Sequence, residues 1–339
     1  MSPNMLYVAV FLYVIAFPGA DSVCNETYDP IDCVYNFYCK GEIRYDYYRN
    51  FDVNPDRGIV CKYTLIQNQF EPINLYFDDN KRTYETSEIL NVEGRILTFT
   101  ITLNISNNEY NDVPVIPRMG NLATLDISRN HLRTAILSNK NELPSLTKID
   151  LSHNNIKNIA TLSSGEYPYD KLVDINLSYN LLATIPDAVF EIFTDLESLD
   201  ISHNLLTALT MFTFEGVKNL KKLQMSDNRI VDLGSSLFRF TKLTTLNMKN
   251  NKLREIKISD FDKLINLRSL DLSSNLISSY DEYVFNNMSL LTLLDLSNNQ
   301  LKSISTQTFS RLDNLKEIDL SVNHLSALPR GLFKDKSLS

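Results

Sequence analysis

The stretch LDISHNLL at residues 199–206 returns along the chain as LDLSSNLI at 270–277, LDLSNNQL at 294–301 and IDLSVNHL at 318–325. These stretches share the pattern LxxLxLxxNxL, and a degenerate copy precedes them at Leu103, Ile105 and Asn108. The Asn of the pattern recurs nine times, at intervals of 23 to 26 residues: Asn130, Asn154, Asn180, Asn204, Asn228, Asn251, Asn275, Asn299 and Asn323. A repeat of this period predicts a solenoid in which each copy forms one coil stacked on the next.

The spacing inside each copy predicts the structure of a coil. Apolar residues two positions apart point to the same side of a strand, so LxL indicates a short strand with one buried face. The Asn suits a buried turn, where its amide can bond backbone groups that the turn leaves unpaired. A Phe follows ten residues after the Asn in seven copies: Phe190, Phe214, Phe238, Phe261, Phe285, Phe309 and Phe333. We therefore expect an α/β solenoid over residues 96–337, with a parallel sheet on its concave side and irregular or short helical segments on its convex side.

Residues 1–20 have the features of a signal peptide. The run LYVAVFLYVIAF at 6–17 is apolar but too short to span a bilayer, and small residues follow it up to Ala20. A buried N-terminal strand is the alternative. No later segment is apolar enough for a transmembrane helix. We therefore expect a secreted, extracellular protein without a membrane span.

All four cysteines lie shortly after this segment, at Cys24, Cys33, Cys39 and Cys61. An even, clustered set in a secreted protein predicts two disulfides, for which three pairings exist. Cys24–Cys39 with Cys33–Cys61 is the pairing we favour. A zinc site is the less favoured alternative, because the set has no CxxC spacing and no nearby His. Residues 21–95 are therefore expected to form an N-terminal cap stapled by disulfides and free of unpaired thiols.

The repeats resemble the typical leucine-rich repeats of extracellular animal proteins, and Toll-type ectodomains are similar. The stretches CVYNFYC at 33–39, IVCKYTL at 59–65 and ILTFTITLNISNN at 96–108 are similar to secreted leucine-rich-repeat immune proteins of mosquitoes and other insects. This resemblance implies a recognition protein that binds another protein or a microbial surface ligand in innate immunity. A receptor or adhesion ectodomain cut before its membrane segment is the alternative. Members of that group often carry a cysteine-rich C-terminal cap, so we expect the end after Phe333 either to continue or to form homo- or hetero-oligomer contacts.

Composition argues against several other functions. The net charge of −8 disfavours a nucleic-acid ligand, and the 9 glycines form no phosphate-binding loop motif. Two sets of triad-type residues occur, at 150–153 and 200–203, with His153 and His203 as the bases. Each set decorates one open strand without a pocket, and the two His lie two strands apart, too far to share a metal. We therefore expect no enzymatic activity, no cofactor and no metal.

The residue inside each LxL is expected to point from the sheet into solvent. These residues form a polar, mostly acidic column: Asn104, Asp126, Asp150, Asn176, Asp200, Gln224, Asn247, Asp271, Asp295 and Asp319. Aligned carboxylates attract hard cations, so calcium binding is one interpretation. The favoured interpretation is a solvated repeat consensus, because neutral residues interrupt the column.

Charge and glycosylation signals together predict a ligand site. Residues 215–268 contain twelve Lys or Arg against six Asp or Glu, and N-glycosylation sequons occur at Asn25, Asn104, Asn176 and Asn287. Glycans at Asn104 and Asn176 would cover the first half of the concave face, which leaves the basic part open. We therefore predict that an extracellular protein or glycan ligand contacts four residues of two adjacent strands: Lys222, Gln224, Asn247 and Lys249.

Overall fold

The computed structural model describes residues 24–29, 34–39, 73–76, 100–114, 116, 119–135, 143–159, 171–237 and 240–333. The chain divides into two compact units. Unit 1 contains residues 1–131 and 141–146, and unit 2 contains residues 132–140 and 147–339. The predicted signal peptide, Cys33, Cys61 and Phe238 lie outside the described residues.

Unit 1 begins with an antiparallel pair, β1 (Cys24–Asp29) and β2 (Val34–Cys39). Three strands follow in parallel and in chain order: β3 (Ile73–Tyr76), β4 (Thr100–Asn104) and β5 (Thr124–Asp126). The register of the first pair sets Cys24 directly opposite Cys39. Opposite residues of antiparallel strands have Cα atoms about 4.5–5.5 Å apart, a separation that a disulfide spans. The register thus permits the favoured Cys24–Cys39 bridge, while both bridges and the stapled cap remain predictions.

Unit 2 is a parallel-sheet solenoid with one three-residue strand in each of eight coils. Its strands are β6 (Lys148–Asp150), β7 (Asp174–Asn176), β8 (Ser198–Asp200), β9 (Lys222–Gln224), β10 (Thr245–Asn247), β12 (Ser269–Asp271), β14 (Leu293–Asp295) and β15 (Glu317–Asp319). They pair in parallel and in chain order. A second, two-stranded parallel sheet joins β11 (Glu255–Ile256) to β13 (Ser279–Tyr280) on the connecting side. The predicted parallel sheet is therefore confirmed.

The helical part of the predicted α/β class is much smaller than expected. Within the described ranges the helical content is a single four-residue segment, α1 (Ile258–Phe261). The other connecting segments close one turn at a time. For example, the Phe193 amide donates to the Phe190 carbonyl at 3.0 Å, and the Leu196 amide donates to the Phe193 carbonyl at 3.1 Å. These bonds span three residues rather than four, so they form successive turns instead of an α-helix.

The core lies between the sheet and these turns. In every three-residue strand from β6 to β14 the middle residue is buried and its two neighbours are at least partly open. On the opposite side, Phe residues of successive coils form a buried column, with ring centroids 6.0 Å apart for Phe285 and Phe309. In the last coil, Ile318, Leu320 and Leu325 are only half-buried. Contact with another chain at that end remains a prediction.

The motif Asn residues hold adjacent coils together. Asn228 is buried, and its Nδ2 donates to the carbonyls of Met225 and Ser226 in its own coil, at 3.2 and 3.1 Å. The same Nδ2 reaches the Ile201 carbonyl of the preceding coil at 3.0 Å, while Oδ1 accepts the Leu206 amide at 3.0 Å. Equivalent bonds are formed by Asn180, Asn204, Asn251, Asn275, Asn299 and Asn323. The predicted role of the motif Asn is confirmed.

The residue before each motif Asn adopts a left-handed backbone conformation. In unit 2 these residues are His153, Tyr179, His203, Asp227, Asn250, Ser274, Asn298 and Val322, and their φ angles lie between 52 and 56°. A left-handed conformation is costly for residues other than Gly, so eight equivalent instances show a turn imposed by the fold. The turn places these side chains one above another at the carboxyl edge of the sheet.

Candidate functional site

The polar column on the open face of the sheet is mostly part of the turns. In unit 2, Oδ1 of the outward Asp or Asn accepts the backbone amide two residues later at 2.8–3.0 Å in seven strands: Asp150, Asn176, Asp200, Asn247, Asp271, Asp295 and Asp319. At the last of these, the hydroxyl and amide of Ser321 hold the pKa of the Asp319 carboxyl below its usual value. This side-chain turn explains why Asp and Asn recur at the position. No group of three or more His, Cys, Asp or Glu is arranged to hold a metal within the described ranges.

Two adjacent coils depart from the repeat consensus at the predicted ligand site, and the first of them lacks the turn bond. Gln224 replaces the Asp or Asn of the other strands and, with its longer side chain, makes no bond to the Ser226 amide. Lys249 replaces the Ser that follows the other strands of unit 2, and it is exposed. We call the four predicted residues the open-face site.

The register brings these four residues together on β9 and β10. Gln224 pairs with Asn247, and Lys222 pairs with Thr245. The side chains of Lys222, Gln224 and Lys249 make no hydrogen bond or ion pair with any described residue. Asn247 differs, because its Oδ1 accepts the Lys249 amide at 2.9 Å. The structure therefore places the four residues on one surface, and their contact with a ligand remains a prediction.

A second group of cations lies beside the open-face site. Arg229 and Lys252 directly follow the motif Asn of consecutive coils, and Arg254 comes two residues after Lys252. All three are exposed and form no ion pair with a described residue, whereas Lys221 pairs with Glu197 at 2.6 Å. We call Arg229, Lys252 and Arg254 the basic flank.

The pattern did not predict a stack of three rings at the sheet edge. Tyr179 lies between His153 and His203, with ring centroids 4.1 and 3.9 Å away and planes within 11° of parallel. The row of contacting side chains continues beyond His203, whose Nε2 lies 3.3 Å from Oδ2 of Asp227. Asp227 in turn accepts a hydrogen bond from Asn250 at 2.7 Å. We call His153, Tyr179 and His203 the ring stack. The sequence did contain a signal for this stack, because the residue before the motif Asn carries a ring in three consecutive repeats.

The triad-type residues at 200–203 do not form a catalytic pair. The buried Ser202 hydroxyl donates to Asp200 at 2.6 Å. His203 contacts Tyr179 and Asp227 instead of Ser202. A nucleophilic Ser needs a base within hydrogen-bond reach, and this geometry does not provide one.

The described sequon side chains take part in local bonds. Asn176 donates from Nδ2 to Asp150 at 3.1 Å, and Asn287 donates to the Asp262 carbonyl at 3.0 Å. Asn104 accepts the Ser106 amide at 2.9 Å, and Asn25 lies on β1. A glycan is attached through Nδ2, so occupancy at Asn176 or Asn287 would replace one of these bonds. Glycosylation of the four residues remains a prediction.

None of the helices in the described part of the chain has the length and hydrophobicity needed to cross a membrane. Residues 170–325 match the family model described as leucine rich repeat, in four overlapping stretches: 170–230, 194–253, 218–277 and 265–325. No curated protein matches the sequence.

Several solved structures are similar to the chain at the level of the fold. A structure of TLR13 in complex with ssRNA13 has a TM-score of 0.62 and 24% identity, over 79% of this chain. The match covers 42% of the TLR13 chain, so this chain corresponds to less than half of that protein's length. An internalin, InlF of Listeria monocytogenes, has a TM-score of 0.58 and 22% identity, covering 79% of each chain. A leucine-rich-repeat protein of Leptospira interrogans has a TM-score of 0.55 and 23% identity, covering 79% of this chain and 76% of that one.

Proposed function

The chain carries leucine-rich repeats over residues 170–325, and from this premise we propose that it is a secreted recognition protein that binds a macromolecular ligand through the open-face site. Repeat folds of this kind serve binding, but the fold itself does not determine the ligand. The apolar run at 6–17 supports secretion. The resemblance of the cap and repeats to insect immune proteins supports a role in innate immunity, with a protein or a microbial surface molecule as the ligand.

The absence of the turn bond at β9, where Gln224 replaces Asp or Asn, is the observation on which this proposal rests. On the other strands of unit 2 a ligand would have to compete with an existing side-chain bond to the backbone. Lys222, Gln224 and Lys249 carry no such bond, so their polar groups can pair with a ligand without first losing a partner. Binding therefore costs least at this point of the sheet.

The charge of the open-face site indicates an anionic ligand. Lys222 and Lys249 lie on adjacent coils, and nothing described within the chain neutralises either of them. Such a surface attracts acidic groups and speeds their association. TLR13, a structural neighbour, was solved with RNA, so the net charge of −8 alone is a weak reason to exclude nucleic acid. That exclusion stays a prediction of this proposal.

Reversal of the two lysine charges tests the proposed site. We expect the double substitution Lys222→Glu and Lys249→Glu to weaken ligand binding more than about tenfold, or about 1.4 kcal/mol, and the loss to shrink as salt rises. Partners are captured from the extracellular fluid of the source by crosslinking and mass spectrometry, and the affinity of each is then measured with both proteins.

The matched control carries the same charge change elsewhere. Lys218 and Lys302 are exposed and lie outside the open-face site, so Lys218→Glu with Lys302→Glu reproduces the net charge of the test variant. We expect this control to bind like the unmodified protein. Equal affinity in the test variant and the unmodified protein would remove the basis for the site.

A further inference from the structure

The ring stack and the basic flank belong to one continuous surface. The residues before and after each motif Asn form two columns separated only by that buried Asn. Tyr179 and Leu181 occupy one coil, and His203 and Leu205 the next. Asp227 with Arg229, and then Asn250 with Lys252, occupy the two coils after that.

Backbone bonds fix the relative height of these levels. The Leu205 amide donates to the Leu182 carbonyl at 2.9 Å, the Arg229 amide to the Leu206 carbonyl at 2.8 Å, and the Lys252 amide to the Ile230 carbonyl at 2.9 Å. Each coil therefore lies one strand spacing from the next. Four levels at about 4.8 Å span roughly 15 Å, the length of about five extended residues.

The surface changes in character along this length. Its first half is apolar and aromatic, with Tyr179 45% exposed and Leu181 36% exposed. Its second half is cationic, with Arg229, Lys252 and Arg254 exposed and unpaired among the described residues. The single acid between the halves, Asp227, is engaged by His203 and Asn250. A matching ligand therefore carries apolar groups next to anionic ones.

The faces of the Tyr179 ring are covered by its neighbours, and this favours some anionic ligands over others. Bases of single-stranded nucleic acid bind proteins largely by stacking on aromatic faces, and sugar rings also pack against such faces. Both faces of Tyr179 are already covered by His153 and His203. Its edge and hydroxyl are what remain exposed, and these suit contact with an aliphatic or aromatic side chain and a backbone group.

We propose that this surface binds an extended acidic segment of a protein partner, with its carboxylates on Arg229, Lys252 and Arg254 and a neighbouring apolar side chain against Tyr179 and Leu181. Guanidinium groups pair with carboxylates through two parallel hydrogen bonds, which two arginines in adjacent coils can supply. The inference rests on the proposed function, because it assigns a ligand class to the surface next to the open-face site.

The test uses four defined probes with the full chain. Fluorescence anisotropy measures the affinity of a labelled peptide in which Glu alternates with Leu and Phe, and of the same peptide with Ser in place of Leu and Phe. Single-stranded oligothymidylate and a heparin oligosaccharide of the same net charge complete the set. The Glu–Leu–Phe peptide is expected to bind at least about tenfold more tightly than either of the last two.

Three variants assign this binding to the surface. The double variant Arg229→Glu with Lys252→Glu should lower the affinity for the Glu–Leu–Phe peptide at least about tenfold. The control Lys218→Glu with Lys302→Glu should leave that affinity unchanged. Tyr179→Asn keeps a residue that tolerates the left-handed turn. The Tyr179→Asn variant should bind the Glu–Leu–Phe peptide more weakly but should bind the Glu–Ser peptide with unchanged affinity. Circular dichroism of each variant checks that the solenoid is intact.

Several outcomes would overturn the inference. They are absence of measurable peptide binding, equal or tighter binding of the oligonucleotide or heparin, or equal losses in the test and control double variants. The proposed function is judged separately by the Lys222 and Lys249 variant. If that variant loses its captured ligand while the peptide fails to bind, recognition at the open face stands and the acidic-segment assignment falls.

Discussion

Asn228 shows why one residue type recurs at the turn of every coil. Its amide supplies donors to three carbonyls and an acceptor to one backbone N–H, in two coils at once. No hydrophobic residue of similar size provides these groups, and Leu in its place would leave buried polar atoms unpaired.

Removal of the Asn228 amide is therefore expected to be costly. Asn228→Ala should reduce the free energy of unfolding by about 3–5 kcal/mol, because several buried groups lose their partners together. Asn228→Asp should be at least as harmful, because it sets a carboxylate against three carbonyl oxygens. Urea denaturation measures both. Asn266→Ala, which removes one bond of 2.7 Å from an exposed residue, should cost about 1 kcal/mol or less. Similar losses at the two sites would contradict this role.

Asp260 in α1 is a second residue whose effect on the free energy of unfolding can be measured. Its side chain accepts the Lys257 amide at 2.8 Å at the start of the helix, but the residue is only 7% exposed. Burial, together with the charges of Asp232 and Asp281, raises the pKa of its carboxyl above the usual 3.8, against the opposing effect of Lys257. The folded state therefore holds this proton more tightly than the unfolded state does.

The sign of the pH effect follows from this raised pKa. Above pH 3.8 the unfolded chain loses the proton first, so this residue's contribution to stability falls as pH rises through its folded pKa. Asn in its place keeps an oxygen for the Lys257 amide without the charge. We expect Asp260→Asn to raise the melting temperature at pH 7, by an amount equivalent to at most about 1 kcal/mol, and to have little effect at pH 3. Scanning calorimetry at both pH values tests this, and a lower melting temperature at pH 7 would contradict it.

At the scale of the element, the turn at Gly234 shows how closely consecutive coils approach. Gly234 has a φ of +55°, and a Cβ atom at this position would lie 2.2 Å from the Leu209 carbonyl oxygen of the preceding coil. Gly331 has a φ of +79°, with nothing within 4 Å of such a Cβ. Comparing substitutions at the two glycines therefore separates the cost of backbone strain from the cost of a clash between coils.

Alanine substitutions at these two glycines should differ in cost. Gly331→Ala should cost about 1–2 kcal/mol, the penalty for a left-handed conformation alone. Gly234→Ala adds overpacking against backbone and should cost about 2–5 kcal/mol. Thermal unfolding of the two variants provides the measurement. Equal costs would show that the coils can move apart at this turn.

The strands were predictable because their pattern has a physical cause that is local. In Leu199, Asp200 and Ile201 the alternation itself separates the buried from the open face. The connecting segments were less predictable, because the spacing of their Leu and Phe residues shows that they are buried but not whether they form turns or helix. The choice depends on how each segment packs against the coils beside it, and only α1 became helical among the described segments.

The candidate site was predictable only in part, for a similar reason. Lys222 and Lys249 stood out because they are charged residues at positions with a known direction. The ring stack was missed because LxxLxLxxNxL treats the residue before Asn as variable. Tyr179 and His203 are 24 residues apart in sequence, and only the registration of whole coils brings their rings to 3.9 Å.

At the scale of the whole molecule, average charge conceals the local surface. The chain is acidic, with a net charge of −8, yet Lys222, Arg229, Lys249, Lys252 and Arg254 lie close together and unpaired among the described residues. The net charge therefore governs solubility and the average field of the protein, but it does not determine the ligand of one face.

Each motif Asn bonds to the coil before it, so the coils are completed in a fixed order as the chain is synthesised. The Leu206 amide and the Ile201 carbonyl, both in one coil, find their partner in Asn228 of the next coil. A ribosome adds about 5–20 residues per second, so a coil waits about one to five seconds for the Asn that completes it. Each newly made coil therefore closes the one made before it, and the N-terminal coils are the first to be complete while the rest of the chain is still being translated.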